Sequence, residues 1–243
     1  MDKILIFTYD FPHKKTNLGL DVIHKFFNGD VHVIASPKKK LNFYKSKIRV
    51  STNEEGLLAP EIISKANNWD FVRFDHDSED AIDYIKKNNI ELGIILGARI
   101  LKEPLINTFK IGIINFHPGL LPYNKGLDNL KWAINLRIPQ GVTSHFIDKK
   151  IDEGRGIYQD TIQVNQGDNL QDLDAKLLNL QMNHLLKMIE TNFQFREIKN
   201  LTSDNKSFKS MPWDIEKNLI NDFEQYKKNY KDILSNFKTE LLF

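Results

Sequence analysis

The residues best suited to chemistry lie directly after an apolar run, in the stretch INFHPGLLPYNKG at residues 114–126. The run at 111–114 predicts a buried strand, and the Pro-Gly pair after His117 ends it at once. Open α/β sheets build their sites at the carboxyl ends of strands. An imidazole exchanges protons near neutral pH, and the amide of Asn115 donates a hydrogen bond without ionising. We therefore predict an acid–base site here, with a plain surface turn as the alternative.

Two further stretches supply a carboxylate and a second imidazole. The stretch GVTSHF at 141–146 contains His145, and Asp152 follows seven residues later in Asp-Glu-Gly. A carboxylate beside an imidazole orients it and raises its basicity, which is the role predicted for Asp152. His145 lies inside a strand-like run, so we expect it to brace the site. A zinc site made of His117, His145 and a carboxylate is the less favoured alternative, and we expect no metal.

The composition excludes several classes of site. The 243 residues contain no cysteine, so thiolate catalysis, disulfides and cysteine-based metal sites are absent. The 34 basic and 32 acidic residues leave a net charge of +2, which does not favour a nucleic-acid partner. The N-terminus lacks the pattern of a signal peptide, and no apolar run approaches the ~20 residues of a membrane helix. We predict a cytoplasmic protein without a membrane partner.

Short apolar runs alternate with helical patterns along the first half of the chain. The predicted strands are KILIFT (3–8), VHVIA (31–35), FVRF (71–74), ELGIILG (91–97) and IGIIN (111–115). The predicted helices lie around residues 20–27 and at 60–68 and 78–89, where Ser78 is the expected N-cap. Such alternation predicts βαβ units, and thus an α/β fold with a Rossmann-like, mostly parallel sheet.

The second half adds antiparallel strands and a change of character. A helix at 127–136 precedes two strands at 141–148 and 156–164, which we expect to form a hairpin, and a leucine-rich helix spans 169–192. We place a boundary there, between a catalytic domain at 1–192 and a C-terminal extension at 193–243. Aromatic residues alternate with polar ones at the start of the extension, and a turn-rich loop and a polar amphipathic helix follow. A homodimer is the expected assembly, with the extension as a possible contact.

Taken together, these motifs resemble those of the folate-dependent formyltransferases. That family carries Asn-x-His, a Leu-Leu-Pro loop ending in Arg/Lys-Gly, Gly-Val-Thr-x-His and Asp-x-Gly. Here the same order and spacing run from Asn115 to Gly154, and the resemblance covers roughly residues 1–190. It implies that N10-formyltetrahydrofolate is the co-substrate and that an amine is the acceptor. Asn115, His117 and Asp152 would be catalytic, since formyl transfer passes through an oxyanion that needs preorganised donors.

The resemblance also implies where the two substrates bind. The folate would lie against the loop after the fourth strand and the loop before Asp152. Its predicted contacts there are Leu96, Ala98, Arg99, Ile100, Ile147 and Asp148. The predicted contacts of the acceptor are Tyr123, Asn124, Lys125 and Trp213. Lys125 would contact a phosphate or cap the region that follows, and Trp213 would stack on a base or anchor the extension.

The acceptor is inferred from the branch of the family that the chain resembles. Family enzymes acting on initiator methionyl-tRNA carry a large additional C-terminal domain, whereas here only residues 193–243 follow the core. Those acting on glycinamide ribonucleotide have a Gly-Ser-rich loop after the first strand, which is absent from TYDFPHKKTNLGLD. The stretch HPGLLPYN is similar to enzymes that act on nucleotide-linked amino sugars. Those enzymes often end in a short β-hairpin and a helix that make dimer and nucleotide contacts, and the resemblance implies the same for the extension 193–243. We therefore predict a dTDP-linked 4-amino-4,6-dideoxyglucose as the acceptor, in the synthesis of a surface polysaccharide such as an O-antigen. Glycinamide ribonucleotide formyltransferase and a non-catalytic folate-binding protein are the alternatives.

Overall fold

A mixed sheet runs through the computed structural model, which describes residues 1–37, 46–51, 55–150, 152–195 and 199–237. Eight strands are found in these ranges, in the order β3-β2-β1-β4-β5-β6-β7-β8. They are β1 (Lys3–Tyr9), β2 (Asp30–Ser36), β3 (Asp70–Arg73), β4 (Leu92–Ile95), β5 (Gly112–His117), β6 (Gly141–Phe146), β7 (Arg155–Thr161) and β8 (Lys199–Asn200). The first five pair in parallel, and β6 to β8 add antiparallel pairs. The predicted α/β fold is confirmed.

Helices cover both faces of this sheet. They are α1 (Lys14–Phe26), α2 (Pro60–Ala66), α3 (Glu79–Lys87), α4 (Glu103–Ile106), α5 (Asn129–Leu136), α6 (Leu170–Glu190), α7 (Trp213–Glu216), α8 (Leu219–Lys228) and α9 (Tyr230–Phe237). On one face Leu20 of α1 and Leu185 of α6 are fully buried against the strands. On the other face Ile85 of α3 and Leu105 of α4 close a second core. Burial on both faces explains why the central strands are almost continuously apolar.

Local sequence signals define where the main helices begin. The Ser78 side chain accepts a hydrogen bond from the amide of Ala81, as expected for the N-cap of α3. At α6, Asn169 and Asp172 form a reciprocal capping box, in which each side chain accepts from the other residue's amide. Leucines at three- and four-residue spacing then bury one stripe of α6. α6 thereby lies against α1 and β6 beneath the carboxyl end of the sheet.

The C-terminal extension packs onto the same sheet. Phe193 is buried in the main core, and the ring of Phe195 meets that of Phe146 edge-on at 5.2 Å between centroids. In place of the hairpin predicted within the extension, the short strand β8 pairs with β7 of the main sheet. The helices α7, α8 and α9 follow, and α8 packs on α5. The aromatic residues at the start of the extension therefore serve the core of their own chain.

The sheet opens at the carboxyl end of β4, and this opening positions the site. β4 pairs with β5 up to Ile95, which lies opposite Asn115. The chain then turns towards β1, where the amides of Leu96 and Gly97 both donate to the carbonyl of Phe7. β5 continues for two residues, paired only with β6, and ends at His117. The end of β5 thus projects beyond its parallel neighbour, as at the switch points where α/β sheets bind ligands.

Candidate active site

His117 ends β5 and meets a carboxylate on one side of its ring. Its Nδ1 lies 3.2 Å from Oδ1 of Asp152, and both side chains are largely buried. The other oxygen of Asp152, Oδ2, accepts a hydrogen bond of 2.6 Å from the amide of Gly126. The two oxygens are therefore committed to different partners, which fixes the carboxylate and, through it, the ring.

The other ring nitrogen of His117 faces both an acceptor and a donor. Nε2 lies 2.7 Å from the backbone carbonyl of Asn124 and 3.1 Å from the side-chain amide nitrogen of Asn129. A protonated Nε2 donates to the carbonyl, whereas an unprotonated Nε2 accepts from the amide. Asn129 also donates to the Asn124 carbonyl at 3.0 Å, so the three groups form one network. Either protonation state of Nε2 therefore has a hydrogen-bond partner already in place.

The charges of the pair stabilise each other. Burial lowers the pKa of His117, but the charge and hydrogen bond of Asp152 and the Asn124 carbonyl outweigh it, so the pKa lies above its ordinary value. Burial raises the pKa of Asp152, but His117 and the Gly126 amide together lower it to about 2. Asp152 is therefore ionised throughout the neutral range, as the orienting role requires.

Asn115 lies two residues before His117 and is oriented by His145. Its side-chain nitrogen is 3.4 Å from Nε2 of His145, whose Nδ1 lies 3.0 Å from the carbonyl of Glu153. Burial and the neighbouring His117 lower the pKa of His145 to about 4, so this ring is neutral near pH 7. Nδ1–H donates to the carbonyl, and Nε2 accepts from Asn115. This contact fits the predicted bracing role and leaves one N–H of the Asn115 amide for a substrate oxygen.

The residues predicted to bind the acceptor take different positions. The Asn124 backbone belongs to the hydrogen-bond network around His117, whereas the Lys125 ammonium is buried and forms a 2.8 Å ion pair with Glu153. The ring of Tyr123 meets Phe237 edge-on at 4.9 Å. The indole of Trp213, about two-fifths exposed, faces Lys47 rather than any catalytic residue in the described ranges. A direct role in acceptor binding stays a prediction for Tyr123, Asn124, Lys125 and Trp213.

The first predicted folate loop follows β4 at the carboxyl end of the sheet. Leu96 is buried, and the carbonyl of Ala98 accepts a 2.8 Å hydrogen bond from the Tyr9 hydroxyl. Arg99 Nη2 donates to the Pro37 carbonyl at 3.1 Å, but its buried Nε has no partner within the described residues. Ile100 is two-thirds exposed. A role for Leu96, Ala98, Arg99 and Ile100 in folate binding stays a prediction.

The second predicted folate loop follows β6 and begins beside the amino end of β5. The amide of Ile147 donates to the Ile113 carbonyl at 2.9 Å, and Asp148 accepts from the Lys150 amide. Both residues line a cavity of about 800 Å³ with Gly112, at the amino end of β5. At roughly 3.3 Å per strand residue, Gly112 is about 17 Å from His117. A role for Ile147 and Asp148 in folate binding therefore stays a prediction, on the loop that brings Asp152 to His117.

Two residues that the sequence did not single out belong to the site. Asn129, the first residue of α5, contacts His117, but the only sequence signal for it is the start of a predicted helix. Lys15 of α1 donates to the carbonyl of Phe116, between Asn115 and His117, at 2.9 Å. The signal that could have found it is a basic pair directly after the first βα turn. No cluster of three or more metal-binding side chains occurs in the described ranges.

A scan against protein-family models matches residues 24–189 to the family described as formyl transferase. Among curated relatives, methionyl-tRNA formyltransferase of Flavobacterium psychrophilum is 30% identical over 127 residues, or 52% of this chain and 40% of that protein. The chain thus spans less than half the length of this relative. No helix in the described parts of the chain is long and apolar enough to cross a membrane.

Two solved structures illustrate the shared fold. A sugar N-formyltransferase from a Shewanella species superposes with a TM-score of 0.57 at 20% identity, over 86% of this chain and 76% of that one. Phosphoribosylglycinamide formyltransferase from Streptococcus pneumoniae gives a TM-score of 0.61 at 18% identity, over 80% of this chain and all of the other. At these identities the likeness concerns the fold, and it leaves the acceptor open.

Proposed function

The chain belongs to the formyl transferase family, and from this premise we propose that it formylates the amine of a nucleotide-linked amino sugar. The formyl donor in this proposal is N10-formyltetrahydrofolate. The proposal rests on one observation. Asn115, His117 and Asp152 come together at the carboxyl end of β5, with Asn129 as an additional partner. This arrangement contains a base, a group that orients it and an amide donor.

His117 acts as the proton acceptor in this proposal. As the nitrogen of the acceptor amine bonds to the formyl carbon, it loses a proton to Nε2 of His117. This nitrogen lies within hydrogen-bond distance of both the Asn129 amide and the Asn124 carbonyl. The Asn124 carbonyl, 2.7 Å from Nε2, accepts from the new N–H once the amine nitrogen has moved away. The proton passes to the folate nitrogen when the bond between this nitrogen and the formyl carbon breaks. Asp152 stabilises the charged imidazole throughout.

Asn115 stabilises the charge that develops on the formyl oxygen. Its amide is oriented by the neutral His145, and its second N–H stays available. A preorganised neutral donor of this kind is worth about 3 kcal/mol in the transition state. The folate supplies the formyl group, and we propose that the loop with Leu96, Ala98, Arg99 and Ile100 holds it, together with Ile147 and Asp148.

The choice of acceptor rests on the loop that encloses His117. Gly119 stands where a Cβ would lie 2.9 Å from His117 Nε2 and 2.7 Å from the Asn124 carbonyl. Only glycine leaves this side of the imidazole uncrowded, which fits the loop HPGLLPYN that suggested the amino-sugar branch. The sugar N-formyltransferase of similar fold is consistent with this branch. We propose dTDP-4-amino-4,6-dideoxyglucose as the first acceptor to test, with a cytoplasmic homodimer as the expected form of the enzyme.

The test is a mass measurement on the acceptor after incubation with the protein and N10-formyltetrahydrofolate. We expect dTDP-4-amino-4,6-dideoxyglucose to gain one formyl group in place of one hydrogen. Parallel reactions use the 3-amino isomer, UDP-linked amino sugars, glycinamide ribonucleotide and initiator methionyl-tRNA. The His117→Ala variant, checked for folding by circular dichroism, shows how much formyl transfer occurs without the His117 imidazole.

The panel separates the proposal from its competitors. The curated relative from F. psychrophilum makes methionyl-tRNA a specific competitor, and the fold of the S. pneumoniae enzyme does the same for glycinamide ribonucleotide. Preferred formylation of either would overturn the amino-sugar assignment. Binding of tetrahydrofolate without transfer to any amine of the panel would support a non-catalytic folate-binding protein instead.

A further inference from the structure

Lys15 occupies the opening between β4 and β5. Its Nζ donates a 2.9 Å hydrogen bond to the carbonyl of Phe116 and lies 5.7 Å from the centre of the Phe116 ring. Because β4 has turned away at Leu96, this carbonyl has no strand partner on that side. The ammonium therefore completes the hydrogen bonding of β5 at the residue between Asn115 and His117.

The charge of Lys15 is not balanced nearby. Among the described residues no carboxylate forms an ion pair with its Nζ, and burial lowers the pKa of Lys15 to about 7, so it is fully charged only below neutral pH. The positive charge of Lys15 acts instead on two imidazoles, and it lowers the pKa of both His117 and His13. Burying a cation without an anion costs stability. Such an arrangement is therefore more typical of a functional site than of a scaffold.

We propose that Lys15 is a positioning residue for His117: its Nζ holds the end of β5 through the Phe116 carbonyl, and its charge, when Lys15 is protonated, opposes that of Asp152. The proposal rests on the proposed function only for the identity of that amine. Lys15 contacts the backbone that carries His117, and it acts on the reaction through this backbone and through its charge.

The neighbours of His117 define what the charge must offset. Asp152, from the loop before β7, raises the pKa of the imidazole, as does the Asn124 carbonyl. His145 on β6 is neutral, and Asn129 on α5 is uncharged. Lys15 on α1, when protonated, opposes the effect of Asp152 on this ring. Without it the imidazole would hold its proton more tightly and be a poorer base near neutral pH.

Four variants separate the hydrogen bond, the charge and general effects of the helix. Lys15→Met removes both the donor and the charge, Lys15→Gln keeps a donor without charge, and Lys15→Arg keeps both. Lys25→Met is the matched control, because Lys25 lies on the same helix, is exposed and pairs with Asp21. If Lys15→Met does not fold, the comparison of Lys15→Gln with Lys15→Arg still decides the question.

The first measurement is the pKa of His117 by NMR of ¹⁵N-labelled histidine, assigned with His117→Gln. We expect the pKa to rise in Lys15→Met and Lys15→Gln, and to stay at or below the wild-type value in Lys15→Arg. Lys25→Met should match the wild type. Equal pKa values in Lys15→Gln and Lys15→Arg would overturn the proposal. This titration needs no substrate, so it stands even if the amino-sugar assignment fails.

The second measurement is the pH profile of kcat/KM with the amine that the acceptor panel identifies. In Lys15→Met we expect kcat/KM near neutral pH to fall about 10-fold, with the acid limb displaced to higher pH. The dissociation constant of tetrahydrofolate should change little, and Lys15→Arg should restore most of the rate. A lower rate without displacement of the acid limb would reduce Lys15 to a packing residue and overturn the role of its charge.

Discussion

Two buried charge clusters flank the start of α5 and are built differently. The cluster for which we propose the catalytic role, named the catalytic cluster, consists of His117, Asp152, Asn115, Asn124 and Asn129. The anchor cluster consists of Lys131, Glu216, Ser46 and the amide of Lys47, and it ties the extension to the domain. Asn129 and Lys131 lie two residues apart, so one turn of α5 supplies a member to each cluster.

Every oxygen of the anchor carboxylate has a fixed donor. Glu216 Oε1 accepts from Lys131 Nζ at 2.6 Å and from the Ser46 hydroxyl, and Oε2 accepts from the Lys47 amide at 2.9 Å. Burial raises the pKa of Glu216, but these donors outweigh it and lower the pKa to about 2. The Ser46 proton has a second acceptor in the Ile48 carbonyl, but the ion pair of Lys131 and Glu216 itself keeps one arrangement of protons.

The catalytic cluster instead satisfies two arrangements of protons. The Asn124 carbonyl suits a protonated Nε2 of His117, and the Asn129 amide suits an unprotonated one. The comparison indicates that a buried ion pair is structural when only one arrangement of its protons is stable. It is suited to catalysis when a nitrogen has hydrogen-bond partners both with and without its proton. The following predictions test this distinction, from the largest expected effect to the smallest.

Removing the imidazole should have the largest effect. In His117→Ala we expect the rate of formyl transfer to fall about 10³- to 10⁴-fold, while tetrahydrofolate still binds, because general-base catalysis is lost. Single-turnover kinetics and a folate-binding titration measure the two quantities. His184→Gln is the matched control, since His184 is also buried and paired with a carboxylate, Asp160, outside the site. A comparable loss of rate in His184→Gln would break the comparison.

Removing the anchor carboxylate should affect stability more than chemistry. In Glu216→Ala we expect the free energy of unfolding to fall by about 3–5 kcal/mol, because Lys131 is left buried without a counter-charge. Urea denaturation measures this loss. The double variant Lys131→Met/Glu216→Leu should recover much of the stability. A large decrease in kcat in this folded double variant would show that the anchor takes part in the chemistry.

Truncating the amide donor should lower the rate without a matching loss of stability. In Asn115→Ala we expect kcat to fall about 10²- to 10³-fold with little change in KM, the scale of one oxyanion donor. Steady-state kinetics measures both constants, and thermal unfolding checks the fold. If KM rises while kcat is kept, Asn115 binds the ground state and does not stabilise the oxyanion.

Acid should weaken both clusters in the same range of pH. Folding lowers the pKa of Asp152 and of Glu216 to about 2. Each therefore contributes stability above its ordinary pKa, near 4, and loses it as the pH falls towards 2. We expect a loss of about 2–3 kcal/mol per group over this range. Guanidinium denaturation from pH 6 to 2 measures it, and a slope unchanged in Glu216→Gln would remove Glu216 from this account.

The sequence predicted the parts of the site that depend on local patterns. Asn115 and His117 follow an apolar run that could only be a strand, and Asp152 lies in a short motif at a fixed distance from His145. The parallel sheet followed from alternating apolar runs. These features depend on periodicity and on turn chemistry, which neighbouring residues encode.

The sequence did not reveal partners that come together only in the folded chain. Lys15 reaches Phe116 across a hundred residues, because α1 packs beside the gap that β4 leaves. Asn129 reaches His117 because the loop between them folds back. Lys125 could have faced a phosphate or the interior, and only the position of Glu153 turns it inward. Long-range packing decides such contacts, which a local pattern in the sequence can suggest but cannot assign.

The extension and the loop that holds Asp152 form one hydrogen-bonded unit. Phe208 donates to the Lys125 carbonyl and accepts from the Leu127 amide, so close to Gly126 that a Cβ there would lie 2.1 Å from the Phe208 oxygen. The amide of Gly126 in turn holds Asp152. A subglobal opening that detaches the extension would release this contact. Amide hydrogen exchange at Gly126 should then match that of Phe208, and mild heating should end activity before the central strands unfold.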